Sequence, residues 1–317
     1  MKAYIMRRLL LVIPTAIFVS IIVFLVIRLI PGNIIDLMVQ EAELFTETDR
    51  TIIEHDLGLD VPIYTQYVRW VGKVVLHGDF GTSLWTEEKI TEELLHRFPV
   101  TIELTILALL ISLSISIPIG IYSAIRQDTA GDYIARSFAI SLIAIPSFWV
   151  ATLIIVFSSL LYGWSPPLDY VRFTENPIAN LKIMILPALV LGMLLAGSVM
   201  RMMRTTMLEI LREDYIRTAW AKGLEEKVIV SRHALKNALI PVVTIIGLQI
   251  AVLMGGSVII EQIFSLPGLG RLLIESVSSR DYPMVSGIIM FIGILMLLIN
   301  LVVDISYAFL NPKIRYS

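Results

Sequence analysis

Cysteine is absent from the chain, which excludes a disulfide framework, a thiolate metal site and a cysteine nucleophile. Charge is scarce as well: Asp, Glu, Lys and Arg make up 16% of the 317 residues, against roughly 25% in soluble domains. So few charges cannot cover a water-soluble surface of this size, and the mean hydropathy is +0.81. Much of the surface must therefore face lipid. The formal net charge of −2 is too small to argue for a nucleic-acid partner. No Gly-x-x-x-x-Gly-Lys-Ser/Thr loop occurs, so the chain has no nucleotide site of that kind. His55, His77, His96 and His233 lack the spacing of a metal site. The methionines at Met200, Met202 and Met203 read as packing.

What is present is a series of long apolar runs. A hydrocarbon core about 30 Å thick needs roughly 20 apolar residues per helix, and residues 9–30, 101–123, 138–162, 183–199, 239–260 and 285–309 qualify. Pro14, Pro118, Pro146, Pro187 and Pro241 lie inside these runs; a bundle tolerates them because neighbouring helices satisfy the freed carbonyls. The N-terminus resembles a signal peptide, but its apolar run extends to residue 30 and Pro31-Gly32-Asn33 is no cleavage site. It reads as an uncleaved first span. Lys2, Arg7, Arg8, Arg126, Arg136, the basic stretch from Arg201 to Lys236, Lys313 and Arg315 then fall on one side. The positive-inside bias makes that side cytoplasmic, with both termini on it. Arg28 reads as snorkelling from the first span. The expected fold is an all-α polytopic protein of the cell inner membrane with six transmembrane helices.

Four segments follow: a tail and first span (1–30), an extracytoplasmic cap (31–100), a core with five spans and a cytoplasmic loop (101–310, loop 201–238), and a cytoplasmic tail (311–317). The cap is acidic, with Glu41, Glu43, Glu47, Asp49, Glu54 and Asp56. It includes an amphipathic helix near 63–76 on which Tyr67, Trp70, Val71, Val74 and Val75 are expected to share a stripe. In the loop, Asp214 can cap a short helix that Gly223 closes in the left-handed conformation. A second helix, 224–235, leads into the fifth span. By composition alone, this hairpin is either a handle for a cytosolic protein or a basic loop on anionic head groups.

The hairpin residues carry a resemblance. Arg217-Thr218-Ala219-Trp220-Ala221-Lys222-Gly223, followed by Arg232-His233-Ala234-Leu235-Lys236-Asn237-Ala238-Leu239-Ile240-Pro241, resembles the EAA loop of binding-protein-dependent ABC importer permeases. More narrowly, it is similar to the B-type subunit of the dipeptide/oligopeptide/nickel family. Arg8 to Pro14 with Pro31-Gly32, Leu57-Gly58-Leu59-Asp60 through Trp70, Gly78-Asp79-Phe80-Gly81-Thr82-Ser83, Phe264 to Gly270 and Arg280-Asp281-Tyr282-Pro283 agree in order and spacing. Arg217-Thr218-Ala219 replaces the Glu-Ala-Ala that names the loop, and Lys236 replaces the general motif's proline; both changes are usual in the peptide branch. Glu87-Glu88-Lys89-Ile90 lacks a Pro-Val often found there.

The resemblance implies a type I importer permease fold in a non-catalytic subunit without a cofactor of its own. ATP and Mg would be bound by two separate ATPase subunits, and the partners would include a C-type permease and an extracytoplasmic binding protein. The coupling residues would be Asp214, Arg217, Thr218, Ala219, Lys222, Gly223, His233, Leu235, Asn237 and Pro241. Peptides are the implied cargo, with nickel, glutathione or oligosaccharides as alternatives within the family. Glu261, Phe264, Pro267, Gly268, Gly270, Arg280, Asp281 and Tyr282 form a segment expected to line the outer entrance or meet the binding protein, or simply to pack on the bundle. Gly268-x-Gly270 is no dinucleotide motif, since Leu273 stands at the third glycine and no strand precedes it. Among polar residues in or near the spans, Gln249 and Asn300 are expected as interhelical hydrogen-bond glue. Glu103 opens the second span, and Asp304 is expected to pair with the basic loop. An ion-coupled secondary transporter would instead show deep carboxylates and a repeat, and a membrane hydrolase would need a nucleophile beside a base. Neither pattern is evident.

Overall fold

The computed structural model describes residues 2–29, 60–167 and 169–310; the acidic part of the cap and the 311–317 tail lie outside the described residues. In chain order the helices are α1 (Lys2–Leu29), α2 (Ile63–His77), α3 (Ile90–Ile125), α4 (Ala130–Ala144), α5 (Ser147–Tyr162), α6 (Pro177–Leu211), α7 (Asp214–Ala221), α8 (Glu226–Val228), α9 (Leu235–Ile263), α10 (Leu269–Ser278) and α11 (Tyr282–Leu310). A π-helical turn, Ile229–Ala234, joins α8 to α9. Among the described residues the only β-pairing is an isolated bridge between Thr82 and Lys89.

Segments of α1, α3, α6, α8–α9 and α11 are long and apolar enough to cross a membrane. The helices α4 and α5 complete six spans if they count as one, but they meet at 92°. The expected straight run over 138–162 is therefore broken. Pro146 lacks an N–H, and the residue before a proline is pushed out of the helical region. Accordingly Ile145 is extended (φ −91°, ψ 124°) and Pro146 is the N-cap residue just before α5. Pro14, Pro118, Pro187 and Pro241 remain inside helices.

Local chemistry sets the other boundaries. The Thr129 hydroxyl accepts from the Asp132 amide at the start of α4. The Asn176 side-chain Oδ1 accepts from Ala179 N–H, and Pro177 follows at the first helical position, where its missing N–H costs nothing. With 35 residues, α6 is about 52 Å long, well beyond a hydrocarbon core of about 30 Å. One end must therefore project from the membrane.

The chain divides into two compact units. The first comprises Met1–Arg8, Phe98–Arg271 and Leu298–Ser317. One of its apolar clusters joins Leu104, Ala108, Met184, Leu191, Leu253 and Phe264; another joins Met203, Met207, Ile216, Ala219, Ile229 and Val242. Close helix approach underlies the first: a Cβ at Gly192 would stand 2.5 Å from the Ala108 carbonyl oxygen. The second unit comprises Leu9–Arg97 and Leu272–Leu297. In it α2 packs on α1 through an edge-on contact of Phe24 with Tyr67 at 5.3 Å and a hydrogen bond of 2.8 Å between the Ser20 and Tyr67 hydroxyls. Val74 is buried and Tyr67, Trp70 and Val71 are half-buried, but Val75 is 70% exposed. Helical rotation of 100° per residue carries Val75 off the expected stripe.

Candidate functional site

The hairpin is built on one apolar anchor. Helix α7 buries Ile216 and Ala219 against Met203, Met207, Ile229 and Ala234, while Asp214, Tyr215, Arg217, Thr218, Trp220 and Lys222 remain exposed. Glu213, not Asp214, is the N-cap residue, so Asp214 lies at the first helical position, where its charge suits the helix dipole. Ala219, one of the residues the resemblance assigns to coupling, turns toward its own bundle, because it stands three residues after Ile216 on the same side of the helix.

At the corner, Gly223 adopts φ +76°, and a Cβ there would meet nothing within 4 Å. The glycine thus supplies the left-handed turn and leaves open space outside it. The Gly223 N–H donates to Trp220 O at 2.9 Å. Asn237 Nδ2 donates to the Tyr215 hydroxyl at 2.9 Å and clips α7 to the start of α9. His233 is exposed, and Leu235 and Pro241 are half-buried. The π turn Ile229–Ala234, which contains His233, has no counterpart in the sequence reading; such turns recur at functional sites.

Beneath the hairpin lies a cluster that sequence reasoning missed. Asp132, on α4, is fully buried and accepts a paired fork from Arg204 of α6, Nε to Oδ1 and Nη2 to Oδ2, each at 2.8 Å. The Ser123 hydroxyl at the end of α3 donates to Oδ1, and the Asp128 N–H donates to Oδ2 at 3.1 Å. Arg136 approaches to 3.5 Å. Three helices are thereby fixed at the base of the hairpin. In the sequence, Asp128 and Asp132 are balanced by Arg126 and Arg136 nearby, and nothing there points to Arg204 as the partner.

At the other end of the same unit, the Glu261 carboxylate is fully buried. It accepts from Thr101 Oγ1 (2.8 Å), Gly270 N (2.7 Å) and Arg271 N (3.1 Å). The Thr101 hydroxyl accepts in turn from Leu269 N at 2.8 Å. Together they satisfy the first amides of α10, which otherwise would have no partner. A Cβ at Gly268 would lie 2.4 Å from the Glu261 carboxylate, and one at Gly270 would lie 2.4 Å from Val258 Cα. The Gly-x-Gly spacing is thus required by a carboxylate cap. Phe264 is core at 2% exposure, and Pro267 is half-buried.

Nearby, the Tyr170 hydroxyl donates to Glu103 at 2.8 Å and accepts from Asn180 Nδ2 at 3.3 Å. Burial, and then the Glu103 carboxylate, push the Tyr170 phenol well above its ordinary value, so it stays a donor. Gln249 donates to Ser198 Oγ at 2.6 Å, joining α9 to α6. Asp304 meets Arg8 at 3.0 Å, so the basic group found for it is in the first helix; Asn300 is exposed.

In the second unit, Asp281 is buried. It accepts from the Ser83 hydroxyl at 2.5 Å and from Met284 N–H at 3.1 Å, which caps α11 and ties down the Gly78–Ser83 turn. Trp85 Nε1 donates to Ser279 O at 2.8 Å. Arg280 is exposed with φ +56°, and Tyr282 is half-buried. Of the residues expected at an entrance, Glu261, Phe264, Gly268, Gly270 and Asp281 are therefore buried scaffold in this conformation. Only Arg280, Pro267 and Tyr282 offer surface.

Residues 116–316 match the family model described as binding-protein-dependent transport system inner membrane component, and residues 1–105 match the model of its N-terminal region. The di/tripeptide transport system permease protein DppB of Pseudomonas aeruginosa (strain UCBPP-PA14) is 39% identical over 337 residues, with all of both chains covered. The dipeptide transport system permease protein DppB of Escherichia coli (strain K12) is 37% identical over 340 residues, again with both chains covered in full. A solved structure of the MetNI methionine ABC transporter shares the fold, with a TM-score of 0.58 at 18% identity over 69% of this chain and 97% of the other. The chain therefore belongs to the binding-protein-dependent transport system inner membrane component family, and is a multi-pass inner-membrane permease forming part of the pore of an ABC importer.

Proposed function

We propose that the chain is one half of the pore of a peptide importer, driven through the α7 hairpin by ATPase subunits on the cytoplasmic side. The single observation that carries this reading is the two-faced hairpin. Ile216 and Ala219 seat α7 in the helical core, while Arg217, Thr218, Lys222 and Gly223 face outward. Force applied to the outer face would pass into α6 and α9 with little local give, because protein interiors are close-packed. ATP binding to the partners and arrival of a loaded binding protein would bias the pore between two arrangements.

Both termini are assigned to the cytoplasm by the distribution of Lys and Arg. A C-type permease would complete the pore. Catalysis would lie wholly in the ATPase subunits, with no cofactor held by this chain. Di- and tripeptides are the favoured cargo, on the full-length similarity to permeases named for them.

Reconstitution tests the reading. Uptake of labelled dipeptide into vesicles should need the binding protein, the second permease, the ATPases and ATP together. Uptake by this chain alone, driven by an ion gradient, would overturn it.

A further inference from the structure

Among the described residues, the second helix carries an apolar face that stays largely exposed. Tyr67 and Trp70 turn toward Phe24 of α1, and Val74 is buried. Tyr64, Val68 and Val75 fall within about 40° of one another on a different face, and they are 70%, 66% and 70% exposed. Leu76, at the end of the helix, is 77% exposed. Arg69 and Lys73 are exposed about 140° to 180° around from Tyr64. Residues 63–77 contain no Asp or Glu.

The depth of this helix is fixed by what it touches. Tyr67 bonds to Ser20, and Tyr67 and Trp70 pack on Phe24. The apolar span in α1 runs Met6–Val26. Ser20 and Phe24 therefore lie about 9 Å and about 3 Å inside its end, at 1.5 Å of rise per residue. That is the depth at which amphipathic helices settle between head groups and acyl chains. A helix standing clear in water would keep only polar residues outward; this one also exposes a tyrosine and two valines on one face.

We infer that α2 is an interfacial helix: Tyr64, Val68 and Val75 enter the acyl region of the leaflet where α1 ends, and Arg69 and Lys73 meet anionic lipid head groups on the other side. The helix is then part of the membrane anchor and not of a cap standing in water. A neighbouring lysine and arginine without a carboxylate suit phosphatidylglycerol, each contributing attraction near a charged surface.

The lack of cysteine makes the test direct. Spin labels are placed singly at Val68→Cys, Val75→Cys and Lys73→Cys in the assembled transporter, in vesicles of phosphatidylethanolamine and phosphatidylglycerol. Collision with oxygen, which partitions into lipid, is compared with collision with a water-soluble nickel chelate. The oxygen-to-nickel ratio should be several-fold higher at Val68→Cys and Val75→Cys than at Lys73→Cys. Equal ratios at all three would place the helix in water and overturn the inference. Shielding of Val68→Cys and Val75→Cys from both reagents would also overturn it, because protein would then cover the stripe. Retained dipeptide uptake by each labelled transporter confirms that the variants are folded.

Discussion

Individual side chains at both ends of the first unit act mainly through buried charge and close approach. Arg204 neutralises Asp132, which has no exposure. Removing one partner of a buried pair typically costs about 3–5 kcal/mol because the other charge stays buried. Arg204→Ala should therefore lower the unfolding midpoint markedly, and Asp132→Asn with Arg204→Gln should recover part of the loss; denaturant unfolding in detergent measures both. Gly270→Ala places a methyl 2.4 Å from Val258 Cα, and such overpacking costs about 1–3 kcal/mol. Its expected mark is a lower thermal midpoint with the hairpin unaltered. Gly268 and Gly270 were visible in the sequence, but their reason was not, since Glu261 approaches them through the turn that follows α9. The Asp132–Arg204 pair was equally hidden, because 72 residues separate its members.

At the level of helices, most of the architecture was written in apolar runs, and the exceptions have local causes. Five spans appear close to where their hydropathy put them. The sixth bends at Pro146 while four other prolines do not break their helices. Whether a proline kinks or breaks a helix depends on the neighbours that satisfy the freed carbonyl, which one sequence does not reveal. The hairpin was legible through its closing glycine, whereas the inward turn of Ala219 needed the packing of Ile216 to be seen. Two substitutions at Gly223 separate backbone strain from outward contact. Gly223→Asn keeps the left-handed turn at small cost, while Gly223→Val adds about 1–2 kcal/mol of strain. If a partner needs the open space outside the corner, both should lose ATP-driven uptake, and only Gly223→Val should also lose thermal stability. Wild-type uptake by Gly223→Asn would leave the glycine a purely local role.

For the whole molecule, the account rests on a division of labour: this chain supplies the path, and another polypeptide supplies the energy. The sequence lacks a P-loop, and its projecting α6 and α7 carry an exposed polar surface above an apolar anchor. The most direct measurement uses Thr218→Cys, the sole thiol then present in this chain, joined to a short photoactivatable cross-linker in the assembled, transporting complex. The account predicts a cross-link to the ATPase subunit whose yield changes between nucleotide-free and ATP-trapped states. Labelling of lipid alone in both states, with transport intact, would contradict it.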